Sequence, residues 1–239
     1  MDRFYSGQEI NIVDLKSLSG QFLLHGDEAH HLVRVLRAKP GLQIELFNGQ
    51  GMVAEGEVIS VKKNEAVIQL TRVWFEERER PALTVAVCFP KGDRLTTMIE
   101  KLCELGVSRV VPLISERSVV DPGEGKLQRL EKLAMSACKQ SKRAWLMEME
   151  SPVEIAAYLE KDENCVLLDP RAKKSFLEVA VESRRAEKEL TCLIGPEGGW
   201  STGELEMFER KQVVGCVLGK SVLRIETAAM AVASVWASA

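Results

Sequence analysis

Two stretches near the C-terminus carry residue types that can hold a small ligand. The first is Leu193 to Gly203, LIGPEGGWSTG. Apolar residues run straight into Gly195-Pro196-Glu197-Gly198-Gly199, so a buried strand ends in a glycine-rich loop. Ser201 followed by Glu204 then spells a capping box that opens a helix. In open α/β sheets ligands bind just beyond the carboxyl ends of the strands, and glycines there let the backbone approach a ligand closely. Glu197 places a carboxylate among them, suited to a cationic or hydroxylated ligand. The same spacing also suits a tight strand-to-helix turn with positive φ, and spacing alone leaves both readings open. The second stretch is Leu218 to Ala229, LGKSVLRIETAA. Again a strand ends in glycine, Gly219, and a helix begins. Arg224 and Glu226 are charges between apolar neighbours, either an ion pair at a helix start or groups that face a ligand. Two glycine-bearing exits from one sheet point to a ligand more strongly than either does alone.

Other chemistries fail on spacing. Gly219-Lys220-Ser221 imitates the end of a phosphate loop, but position 214 is Val where a Walker A motif needs Gly. No G-x-G-x-x-G occurs, so a dinucleotide fold of the usual type is not expected. His25, His30 and His31 lack metal-ligand spacing, and no metal is expected. The 6 cysteines form no C-x-x-C pair, and several sit in apolar runs. They read as buried, reduced thiols. No apolar run approaches the roughly 20 residues of a spanning helix. The first residues have no apolar core of a signal peptide, so a cytoplasmic protein is expected.

These loops need elements to position them. Up to about residue 75 the chain reads as short strands, among them QFLLHG, LQIELF, MVAEGEVISV and AVIQLTRVWF, with a turn at Asn48-Gly49. One helix interrupts them: Asp27 can cap it, and Ala29, Leu32, Val33 and Leu36 fall at helical spacing. Short strands around one helix suggest a small barrel. Charged, proline-ended EERERP marks a boundary, giving domains 1–75 and 83–239 with a linker over 76–82. From Leu83 strands alternate with helices over Asp93 to Leu105, Lys126 to Arg143, Pro152 to Glu160, Ser175 to Lys188, Ser201 onward and Ile225 onward. Such alternation predicts a parallel sheet covered on both faces.

The motif GPEGG with its capped helix, followed by LG-x-x-x-LR-x-ETAA, resembles the SPOUT methyltransferases. Within them it is similar to the ribosomal RNA small subunit methyltransferase E family. Further matching pieces run through nearly the whole chain: Arg3-Phe4, His31-x-x-Arg34-Val-Leu-Arg37, Lys91-Gly92-Asp93-Arg94, Lys101-x-x-Glu104-Leu-Gly106, Glu116-Arg117-Ser118 and Gln140-Ser141-x-Arg143. The resemblance implies a small N-terminal PUA-like β-barrel and a C-terminal α/β domain tied in a trefoil knot, an exception to the unknotted-chain rule. It implies a homodimer that uses S-adenosylmethionine to methylate N3 of a uridine in 16S rRNA. Cofactor contacts would come from Leu168, Gly195, Glu197, Gly198, Gly199, Leu218, Gly219 and Leu223. RNA contacts would come from Arg3, His31, Arg34, Arg37, Lys91, Arg94, Arg117, Arg129 and Arg143. A non-catalytic RNA-binding assembly factor, or a SPOUT enzyme with another RNA target, would keep much of this pattern.

Residue chemistry is compatible with that activity. Uracil N3–H must lose its proton as a methyl group arrives in line, so catalysis is largely positioning plus charge stabilisation. Arg224 suits stabilisation of the uracil anion and not proton abstraction, because a guanidinium is effectively always protonated. The formal charge is only −3, so RNA binding requires clustered cations. Lys126 to Arg143 holds one acid, Glu131, among many bases, with Arg129, Lys132, Lys139 and Arg143 at helical spacing. His30, Arg34 and Arg37 recur similarly on the earlier helix. The terminal helix is apolar almost all round, which predicts burial in the core or at a subunit interface.

Overall fold

The computed structural model describes residues 1–7, 20–120, 122–161 and 164–239. The chain forms two compact units, one of 1–78 with 138–146 and one of 79–137 with 147–239. Among the described residues, no helix is long and apolar enough to cross a membrane.

The first unit is a five-stranded sheet. Its strands are β1 (Asp2–Tyr5), β2 (Gln21–His25), β3 (Gln43–Phe47), β4 (Met52–Lys62) and β5 (Glu65–Phe75), in the order β1-β3-β4-β5-β2. All pairs are antiparallel except β1 with β3. Alternating residues of these strands bury a cluster that includes Phe4, Leu24, Ile44, Leu46 and Ile68. Asn48 makes the turn after β3, its Oδ1 accepting from Gln50 N at 2.8 Å and Met52 N at 3.0 Å. This is how an Asn side chain replaces a missing backbone bond in a turn.

The expected helix is present but changes pitch. It runs α-helical over α1 (Gly26–His30) and π-helical over His31–Val35. Ala29 and Leu32 are buried as the periodicity predicts, yet Leu36 is exposed. The wider π turn moves Leu36 off the buried stripe. Asp27 is not the cap: it lies inside the first turn, and His25 stands at the N-cap, where its side chain makes no capping bond.

Residues 138–146 complete this unit. Gln50 bridges Trp145, and Leu146 N donates to Gly49 O at 3.0 Å. Trp145 Nε1 donates to Glu76 O at 2.8 Å. Lys139 Nζ meets Glu28 Oε1 at 2.7 Å, both side chains largely buried.

The second unit is a sheet in which every pairing is parallel. Its strands are β6 (Leu83–Val87), β7 (Arg109–Ile114), β8 (Glu148–Met149), β9 (Val153–Glu154), β10 (Cys165–Leu168), β11 (Lys174–Ser175), β12 (Leu190–Ile194) and β13 (Val214–Val217). The order is β11-β13-β10-β12-β6-β7-β8, with β9 beside β7. The central strands β6 and β12 are buried at every residue, as strands covered on both faces must be. Covering helices are α2 (Asp93–Glu104), α4 (Ile155–Tyr158), α5 (Phe176–Arg185), α6 (Thr202–Arg210) and α7 (Ile225–Ser238), and α3 (Glu124–Gln140) ends across the boundary between the units. Leu95, Met98, Ile99 and Leu102 of α2 are buried as their spacing predicts.

Three expectations shift. The helix expected over Pro152 to Glu160 is a short strand followed by the single turn α4, because Val153 and Glu154 pair with β7. Helix α3 ends at Gln140, and Lys142 has positive φ, so Arg143 leaves the helical face. Helix α7 buries Ile225, Ala228, Ala229, Val232, Ala233 and Trp236, but Thr227 and Ser234 are exposed, so it is covered on one side only. All six cysteines are buried and unpaired with one another. Burial pushes the Cys192 thiol well up and the Cys216 thiol to about 12, which removes thiolate reactivity at neutral pH.

Candidate active site

Strands β10, β12 and β13 lie side by side and parallel, so their carboxyl ends open at one edge. The segments leaving them enclose a cavity of about 670 Å³. From β12 come Gly195 to Glu197, Gly199 and Trp200. From β13 come Leu218, Gly219 and Ser221 to Arg224. From β10 come Leu168, Asp169 and Pro170. Both glycine-bearing exits picked out from the sequence therefore line one hollow.

The first loop is held open by local bonds. Gly199 has φ +69 and its N–H donates to Pro196 O at 2.9 Å, closing the turn. Ser201 and Glu204 form the predicted capping box on α6: Ser201 N donates to Glu204 Oε2 at 2.7 Å and Glu204 N to Ser201 Oγ at 3.3 Å. Glu204 also accepts from Glu116 N at 2.9 Å, which ties this helix start to the loop after β7. Gly195 is sterically required: a Cβ there would stand 2.7 Å from Trp200 Cε2. Trp200 in turn meets Phe208 edge-on at 5.0 Å, so the indole is a fixed wall of the cavity.

Of the cofactor contacts expected from sequence, Leu168, Gly195, Glu197, Gly199, Leu218, Gly219 and Leu223 line the cavity. Gly198 does not. A Cβ on Gly198 would meet Arg117 Cδ at 3.5 Å, an ordinary contact, so this glycine faces a side chain and not the hollow. Arg224 lines the cavity as the N-cap residue of α7, exposed at its rim. Its charge is solvated, so no buried partner is needed to hold it there.

Three of the expected RNA contacts have other surroundings. Arg3 is buried: Nε lies 3.0 Å from Glu45 Oε1, and the guanidinium stacks over Phe47 at 4.6 Å. Desolvation lowers its pKa, with Glu45 opposing. Arg3 is thus a core cation of the first unit and is removed from the RNA surface. Arg117 is exposed but donates to Gly198 O at 2.9 Å, so it braces the glycine loop. Arg94 lines the cavity: Nη1 contacts Glu197 Oε1 at 2.6 Å. His31, Arg34, Arg37, Lys91 and Arg129 are exposed, and Arg143 is half-buried.

Sequence reasoning passed over Trp200 and Asp169 as site residues and left Glu226 open between a helix-start ion pair and a ligand-facing group. Asp169 follows β10, and the strand-exit rule applied to LLDPR would have found it. Hydrogen bonds from Arg171 hold its carboxyl below the ordinary range. Glu226 sits in the first turn of α7, largely buried, with Oε2 3.9 Å from Arg94 Nη1. That oxygen has no hydrogen-bond partner among the described residues.

A parallel sheet with a hollow at its strand exits and a separate small β unit in one chain suit a two-domain RNA-modifying transferase. Residues 77–237 match the RNA methyltransferase domain family, and residues 24–71 match the RNA methyltransferase PUA domain. The fold is of the SPOUT type. The chain belongs to the ribosomal RNA small subunit methyltransferase E family. It is 32% identical to the Bacillus subtilis member over 87% of this chain and 86% of that protein. It is 30% identical to the Rickettsia conorii member, over 84% and 82%. The crystal structure of the Neisseria gonorrhoeae member bound to S-adenosylmethionine superposes with a TM-score of 0.83 at 28% identity, covering 98% of this chain and 95% of that one.

Proposed function

We propose that this chain methylates N3 of a uridine in 16S rRNA, using S-adenosylmethionine bound in the cavity at Gly195 and Gly219. The observation that carries this reading is the convergence of both glycine-bearing exits on one hollow of about 670 Å³, a volume ordinary for a small-molecule site. The residues suit that ligand. Leu168, Leu218 and Leu223 offer apolar walls. The carboxylate of Glu197 suits a cation or a ribose hydroxyl. A Cβ on Gly219 would have nothing within 4 Å, so the backbone there is open to a ligand.

S-adenosylmethionine supplies an electrophilic methyl group when bound. The chain's part is to orient uracil and to stabilise its anion. Arg224 stands at the cavity rim with its guanidinium solvated, where it can face the uracil ring and favour loss of the N3 proton to solvent. Preorganisation comes from backbone: Arg224 O accepts from Ala228 N at 2.8 Å in the first bond of α7. RNA is held by exposed side chains, His31, Arg34 and Arg37 on the first unit and Lys91, Arg117 and Arg129 on the second, the arginines and the lysine supplying the charge. In this reading the first unit, 1–78 with 138–146, is a PUA-like RNA-holding domain, and the second, 79–137 with 147–239, is a trefoil-knotted catalytic domain. The protein acts in the cytoplasm as a homodimer, whose contact would cover the outer side of α7.

The test is nucleoside mass spectrometry of 16S rRNA from a strain lacking the gene, complemented with wild type or Arg224→Ala. Loss of 3-methyluridine in the deletion, restored by wild type alone, is expected. Retention of 3-methyluridine in the deletion overturns the assignment.

A further inference from the structure

Three charged groups meet at the cavity from three different elements. Arg94 comes from the first turn of α2, Glu197 from the glycine loop after β12, and Glu226 from the first turn of α7. Arg94 Nη1 is seated on Glu197 Oε1 at 2.6 Å and stands 3.9 Å from Glu226 Oε2. The two carboxylates differ in setting. Glu197 is exposed and lines the cavity, whereas the Glu226 side chain is only 11% exposed. A buried carboxylate oxygen without a hydrogen bond is costly, yet Glu226 Oε2 has none among the described residues. A guanidinium carries five N–H donors in a rigid fork. A displacement of roughly 1 Å would bring Arg94 within hydrogen-bond reach of Glu226.

We propose that Glu226 is a positioning residue and the second seat of Arg94. With no ligand, Arg94 rests on Glu197 and neutralises it. When a cationic cofactor engages Glu197, Arg94 moves to Glu226, whose unfilled oxygen receives it. The exchange frees the recognition carboxylate without leaving the arginine unpaired. It also gives the buried glutamate its missing hydrogen bond only in the loaded state. This inference rests on the S-adenosylmethionine reading above.

The experiment is calorimetric titration of S-adenosylmethionine into wild type, Glu226→Gln, Arg94→Gln and the double variant, with thermal unfolding of each. In Glu226→Gln the second seat is neutral, Arg94 stays on Glu197, and affinity falls about tenfold, in the range of coupled neighbours. In Arg94→Gln there is no arginine to displace, and affinity equals or exceeds wild type. The double variant matches Arg94→Gln to within about twofold, a rescue that a merely structural glutamate would not give. Unchanged affinity in Glu226→Gln overturns the proposal. So does a double variant as weak as Glu226→Gln, and so does weakened binding in Arg94→Gln. A folded wild type that binds no S-adenosylmethionine overturns the cofactor reading itself, which separates the two failures. If Glu226→Gln does not fold, Glu226→Met keeps the side-chain length and carries the same expectation.

Discussion

The parallel sheet of the second unit has a hollow at each end of its strands, and the two differ in chemistry more than in size. The one at the carboxyl ends has a volume of about 670 Å³ and the one at the amino ends about 620 Å³. At the amino ends, Thr84, Arg109, Thr191 and Glu189 stand where β6, β7 and β12 begin. There Arg109 is paired: its Nε lies 3.1 Å from both Glu148 Oε2 and Glu150 Oε1. At the carboxyl ends the charges are left incomplete, with Arg224 solvated at the rim and Glu226 Oε2 without a hydrogen bond. Glycines also separate the two, since Gly195, Gly199 and Gly219 line only the carboxyl-end cavity. Concavity by itself therefore does not mark a site here. Unfinished electrostatics beside an accessible backbone does.

That contrast can be broken by mutation. Arg224→Ala should lower single-turnover methylation of small subunits by about 10²–10³, the usual cost of removing one charge-stabilising donor, while cofactor affinity stays within about twofold. Rates within about threefold of wild type would make Arg224 a structural cap. Gly195→Val should weaken calorimetric cofactor binding by at least about tenfold, because its side chain must displace the Trp200 wall. Gly198→Val, facing Arg117, should leave affinity within about twofold, and equal losses in both variants would contradict the assignment of these two glycines. Charge reversal at Arg34 and Arg37 should lower RNA affinity and flatten its dependence on salt by about 0.9 per lost phosphate contact, read from fluorescence anisotropy at several salt concentrations. Smallest of all, Arg109→Gln at the amino-end hollow should change neither methylation nor cofactor affinity. Its half-exposed ion pairs contribute at most about 1 kcal/mol to stability, visible only as a slight drop in unfolding temperature.

Much of this arrangement was legible in the sequence because it rests on local rules. The capping box at Ser201 and Glu204, the buried runs of β6 and β12, and the strand exits at Gly195 and Gly219 each follow from a few neighbouring residues. What escaped was nonlocal or a matter of burial. Nothing in the spacing of Arg94 shows that it faces Glu197, since the two meet only after β6 and β12 pair. Arg3 reads as a surface cation until the fold seats it against Glu45 across the parallel β1–β3 pair. The π turn at His31–Val35 was likewise hidden, because its sequence satisfies an ordinary helical period until Leu36. The joining of 138–146 to the first unit leaves no local trace.

That last feature bears on how the protein is made. The first unit is discontinuous, so a nascent chain that has emerged only as far as Ala137 lacks part of it. At that stage Glu28 has no Lys139, and Glu76 O has no indole to bind. The N-terminal unit therefore cannot finish folding first and wait for the rest. It must stay incomplete while the opening strands and helices of the second unit are synthesised. A fragment cut at Arg78 would carry the same deficit permanently, so no single cut in the gene divides the two units.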